Sequence, residues 1–206
     1  MGSADFLDDS SRRLARYISS LNLSYKVKNE TYSHMGAIIT DSVLQAGLNY
    51  KTVVFPRIKS LLNKFGDYPT TTDFVLLINL FSLENLIAFK NERKLKCIWH
   101  ISKYFQEQRI ETEQQLAFWM YKKENTQNLL SIYGVGPKTI DYMKKLIGLD
   151  SLAIDRHLIS FLSLAEIHVR SYHEAKEIYC SASELLELDC RILDGMIWSY
   201  MSNAAF

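Results

Sequence analysis

Glycine and proline are scarce, eight and three in 206 residues. No repeat and no low-complexity segment is present. So few breakers, set among many helical periods, predict an all-α chain. Cysteine is also rare. Cys97, Cys180 and Cys190 form no C-x-x-C pair, so they read as reduced thiols of a cytosolic protein. No histidine lies four residues from another: His34, His100, His168 and His173 show no ligand spacing, and no metal site is expected. An excess of one charge is missing as well, at 24 basic against 23 acidic residues and a net +1. That excludes a basic tail, so any affinity for nucleic acid must come from a local patch. The longest apolar run, 74–83, contains Asn79 and Ser82 and is too short to cross a bilayer. No signal-peptide pattern opens the chain, and a cytoplasmic location is expected.

What is present is ordinary globular material, 48% hydrophobic and 23% charged. The length suits one compact domain or two small interleaved ones. Helical spacing of apolar residues predicts helices over 5–21, 35–46, 50–65, 74–80, 82–89, 91–108, 111–121, 125–132 and 190–201. Residues 22–33 read as a polar loop. Gly47 and Gly66 are expected as helix stops. Pro56 predicts a kink or break inside 50–65. Thr72 with Asp73 reads as the cap of 74–80, and Ser82 as the cap of the next helix. Twelve tyrosines and ten phenylalanines are mostly core, with one or two available to stack on an extruded base.

The most informative stretch is 129–162, LLSIYGVGPKTIDYMKKLIGLDSLAIDRHLISFL. It reads as helix, tight turn, helix, loop, helix. Gly134 and Gly136 permit backbone angles that side-chained residues reach with strain. Pro137 suits a first helical position, since its missing N–H would have no partner there anyway. A glycine turn feeding a helix N-terminus is a natural seat for phosphate. Lys138 follows at once, and Asp155 lies seventeen residues on. Lys138 also reads as a simple phosphate-contacting cation, and Asp155 as a simple helix cap.

Gly134-Val135-Gly136-Pro137-Lys138-Thr139 and Ala153-Ile154-Asp155-Arg156-His157-Leu158 closely resemble the helix-hairpin-helix DNA glycosylase superfamily. The likeness is to its endonuclease III-like and 8-oxoguanine glycosylase-like, lyase-competent members. The resemblance implies an all-α fold of two interleaved helical domains. One is 1–39 with 149–206; the other, 40–148, is a six-helix barrel holding the helix-hairpin-helix at 125–147. It implies a substrate cleft between them at which Lys138 and Asp155 converge. The helix over 190–201 resembles the one that precedes an iron–sulfur loop in many relatives. The chain continues to Phe206 without the four clustered cysteines, so no iron–sulfur centre and no other cofactor is expected.

The implied function is base excision repair: a DNA glycosylase with AP lyase activity. Lys138 is the amine nucleophile and Asp155 the carboxylate beside the sugar, with His157 packed behind it. Gly134, Val135 and Gly136 are the DNA backbone contacts, with Lys144 and Lys145 as weaker ones. The segment 44–50 matches the stretch that fills the gap left by a flipped base. Gln45 is the nearest candidate there, with Asn49 and Tyr50 as rivals. The expected partner is double-stranded DNA with a damaged base or abasic site, bound by a monomeric, nucleoid-associated protein. Oxidised pyrimidine and 8-oxoguanine are the expected lesions. A monofunctional mismatch or damaged-base glycosylase and a non-catalytic hairpin DNA-binding module are the alternatives. A lysine at 138 together with an aspartate at 155 favours the lyase.

Overall fold

The computed structural model describes residues 3–21, 23 and 31–203. Twelve α-helices and no strand occur among them. The chain divides into two compact units, Met1–Asn29 with Asp150–Phe206, and Glu30–Leu149. The expected division at 39/40 would have cut the helix Met35–Leu44, which lies whole in the second unit. Of the polar loop expected at 22–33, residues 22 and 24–30 lie outside the described residues.

In the unit Glu30–Leu149, α2 (Met35–Leu44) is central: every one of its residues is buried. It is flanked by α3 (Phe55–Phe65), α4 (Thr71–Phe81), α6 (Glu92–Glu107) and α9 (Pro137–Leu146). The sequence MGAIITDSVL can serve this role because it is apolar or small all round. Gly36 lets α4 approach: a Cβ there would stand 2.4 Å from the Phe74 ring. Ser42 donates back to the Ile39 carbonyl (2.9 Å), and Tyr32 Oη donates to Asp41 (2.9 Å), so both of these hydroxyls have partners. Burial and the Asp41 carboxylate both push the Tyr32 phenol far above its usual range.

The N-cap of α2 is His34, which the helical periods did not indicate. Nδ1 accepts from the Ala37 N–H (3.1 Å). Nε2 faces the Phe65 carbonyl (3.1 Å) and must donate to it, since a carbonyl only accepts. The ring is therefore neutral, and burial pulls its pKa below 6.5. Below pH 6.5 the unfolded chain takes up a proton that the folded histidine resists. Stability from this cap is thus complete above 6.5 and falls as pH drops below it. His34→Asn supplies a capping side chain that does not titrate. It should flatten the acid side of a stability–pH curve measured by urea unfolding, while His34→Ala should lose about 1 kcal/mol even at pH 8.

Pro56 breaks the segment expected over 50–65. Residues Tyr50–Val54 form a π-helical turn, and α3 begins at Phe55 with the proline in its first turn. Proline cannot donate to the residue four before it, and the ladder shifts by one: the Phe55 N–H reaches the Tyr50 carbonyl. At α4 the expected cap is corrected. Thr70, not Thr72, is the N-cap, and its hydroxyl and the Asp73 carboxylate satisfy each other's backbone amides. Ser82 caps α5 (Leu83–Ile87) as expected. The unit is completed by α7 (Glu113–Met120) and α8 (Lys123–Leu130). It thus holds eight α-helices where the resemblance implies six.

In the other unit, α1 (Ser3–Ser20) packs along α11 (Tyr172–Leu185), and α10 (Arg156–Leu164) packs on α12 (Cys190–Asn203). Leu14, Ile18, Leu158, Phe161, Ile178 and Leu193 form its core. Tyr179 is fully buried there and donates to the Leu158 carbonyl (2.8 Å).

Candidate functional site

The hairpin expected at 125–147 is built from α8, a turn and α9. Leu129, Ile140, Met143 and Leu146 enter the core and hold the two arms. The Val135 side chain, half-buried, packs against that core as well. The two glycines differ. Gly134 is left-handed (φ +87), and a Cβ on it would stand 3.2 Å from Cβ of Cys97. Gly136, the N-cap of α9, has φ −122 and ψ 172, which any residue adopts. The space beside it is open, with nothing within 4 Å of a Cβ. Gly134→Ala should therefore cost about 1–2 kcal/mol, read by thermal unfolding. Gly136→Ala should change stability by less than about 0.5 kcal/mol. If a phosphate approaches that open face, Gly136→Ala should still weaken binding to an abasic duplex in a fluorescence titration.

Lys138 occupies the second position of α9 and is half-buried. The start of α6 lies against the turn. Arg93 places its guanidinium over the Tyr133 ring, 5.6 Å from its centre. Lys94 is half-buried, and its Nζ donates to the Val43 carbonyl (2.7 Å). Burial lowers its pKa, and Arg93 and Lys138 push the same way. The turn thus carries a group of cations, Arg93, Lys94 and Lys138. Nothing local in the run ERKLK marked Lys94: its partner is 51 residues away in sequence. Lys144 and Lys145 sit in the last turn of α9, at the end opposite Lys138. There they complement the helix dipole, and Lys145 Nζ lies over the Tyr142 ring (5.5 Å).

Gln45 is the C-cap of α2. Its Nε2 donates to Tyr142 Oη (2.9 Å), 97 residues on. The carboxamide is thus engaged with α9, one helical turn beyond Lys138. Asn49 is exposed but committed: its side-chain oxygen accepts from the Thr52 N–H (3.0 Å) and caps the π-helical turn. Tyr50 is half-buried, and its ring lies tilted against that of Phe55 with centres 5.9 Å apart.

Asp155 belongs to the unit that contains 150–206. It is half-buried and is the N-cap of α10, where Oδ1 accepts from the N–H groups of His157 (2.8 Å) and Leu158 (3.0 Å). The cap uses Oδ1 alone. His157, half-buried, contributes its backbone amide to that cap.

A depression of about 460 Å³ lies in the unit Glu30–Leu149. Arg109, Phe118, Trp119 and Lys122 line it, and Lys138 is not among its lining residues. Among the described residues no cluster of histidine, cysteine and carboxylate side chains is arranged to hold a metal. No helix among them is long and apolar enough to cross a membrane. The chain matches no family model, no curated protein and no solved structure.

Proposed function

We propose that this chain is a base excision DNA glycosylase with associated AP lyase activity. The observation that carries the reading is Lys138 at the start of α9, directly after a glycine turn open at Gly136 and beside the cations of α6. A hairpin that only grips phosphate needs no half-buried lysine at that place. The attacking form of the lysine is the uncharged amine.

In this reading a damaged nucleotide leaves the stack, at a cost of about a few kcal/mol. Lys138 Nζ attacks the anomeric carbon, and the bond to the base breaks with its electron pair leaving on the base. Asp155 stabilises the positive charge that grows on the sugar through the carboxylate oxygen its cap does not use. Ring opening gives a Schiff base. Loss of a proton from the adjacent sugar carbon then expels the 3′ phosphate. Gly134, Gly136 and the cations Arg93 and Lys94 hold the DNA backbone, and Gln45, with Tyr142 behind it, faces the gap left by the base. Residues 30–149 stand for the barrel domain of the resemblance, with two helices more than its six. The protein acts as a monomer on double-stranded DNA in the cytoplasm, at the nucleoid, and without a cofactor.

The deciding experiment is a nicking assay on duplexes carrying an oxidised pyrimidine, 8-oxoguanine, a mismatch or an abasic site, with and without borohydride. A borohydride-dependent covalent complex supports the lyase. Base release without trapping indicates the monofunctional glycosylase. Salt-sensitive binding without either indicates a non-catalytic hairpin module.

A further inference from the structure

Cys180 lies in α11 and Cys190 is the first residue of α12. Their sulfur atoms are 3.4 Å apart. The connection between the helices is held by its own backbone: the Leu188 N–H bonds the Ser183 carbonyl (3.0 Å), and Glu187 takes a left-handed φ of +53. The sulfurs are thus set side by side by a defined turn. Ser183 Oγ stands 3.2 Å from Cys190 Sγ. Cys180 is half-buried, and Cys190 keeps 9% of its surface exposed against 1% for Cys97, so small reagents reach both sulfurs of the pair.

We propose that Cys180 and Cys190 are a redox dithiol that hydrogen peroxide closes to an intramolecular disulfide. Sulfurs in a disulfide are about 2.0 Å apart, so closure from 3.4 Å needs a shift of about 1.4 Å. The contact with the Cys180 sulfur, opposed by burial and joined by the contact with Ser183, pulls the Cys190 thiol below its usual range. The same pairing and burial push Cys180 up. Lys176 favours thiolate at both sulfurs and Asp150 opposes it.

The chemistry balances. Cys190 thiolate attacks one peroxide oxygen, the O–O bond breaks, and hydroxide leaves to become water on protonation. Cys190 is then a sulfenic acid. Cys180 sulfur attacks it, the S–O bond breaks, and a second water departs. Two thiols lose two electrons and two protons, and one peroxide becomes two waters. Cys97 is the internal control. It is buried, and burial pushes its thiol up to about 11.

The test uses the full reduced chain at pH 7, treated with one equivalent of hydrogen peroxide and then blocked with N-ethylmaleimide. The expected product is a monomer with one blocked cysteine and a 180–190 cross-link in a non-reducing peptide map, restored by dithiothreitol. Cys190 should be consumed at least ~10-fold faster than Cys97. Cys180→Ser should stop at a sulfenic acid on Cys190 that dimedone traps, and Cys190→Ser should slow oxidation of Cys180 by a similar factor. Equal oxidation rates at all three thiols, an intermolecular dimer, or sulfinic acid without the 180–190 link would each overturn the proposal. The wild-type map alone decides it if a variant fails to fold.

Discussion

Lys138→Gln is expected to reduce borohydride trapping and strand nicking by on the order of 10³-fold or more, since no other group replaces a missing amine nucleophile. Glutamine keeps most of the length and polarity of lysine and removes the amine. Because Lys138 follows a proline at the very start of α9, its side chain is not what holds the helix. Unfolding of the variant should stay within about 0.5 kcal/mol of wild type. Affinity for an abasic duplex should fall only a few-fold, because Arg93 and Lys94 remain beside the turn. Gel detection of the trapped complex and an anisotropy titration give the two readouts. Should the variant trap as well as wild type, the nucleophile is elsewhere. A loss of binding equal to the loss of trapping would leave Lys138 as a phosphate contact.

The second large effect separates two roles of one side chain. Asp155 caps α10 through Oδ1, and the proposed chemistry needs its charge. Asparagine caps about as well as aspartate but carries no charge. Asp155→Asn should therefore keep stability within about 0.5 kcal/mol and lower base release by about 100-fold. Asp155→Ala should lose both. Removing the cap costs about 1 kcal/mol, or roughly 2–4 °C in melting temperature for a chain of this size. Single-turnover base release and thermal unfolding on the same samples separate these outcomes. An asparagine variant that is stable and fully active would reduce Asp155 to a cap.

Much of the fold was legible because helix ends obey rules that span only a few residues. Pro56 broke its segment where a missing N–H must break it. Ser82 capped the helix that follows it. Thr70 was missed for Thr72 because several hydroxyls lie in a row, and the reciprocal bond with Asp73 selects the one three residues before it. His34 was missed because a neutral ring nitrogen serves as a cap only where burial keeps it neutral. Of the site, the turn with Lys138 and the Asp155 cap could be read from local pattern. The engagement of Gln45 with Tyr142 could not, nor could the presence of Lys94 at the turn.

By itself, the sequence determined most of the helical segments, where many of them stop, and that a glycine turn delivers a lysine to the start of α9. Those are outcomes of backbone hydrogen bonding within one or two turns, and local residues control them. Only the tertiary structure decided that the cations of α6 gather at that turn, that Val135 faces inward, and that two sulfurs ten residues apart lie side by side. Such meetings depend on how whole helix faces pack, and no spacing rule along the chain encodes them.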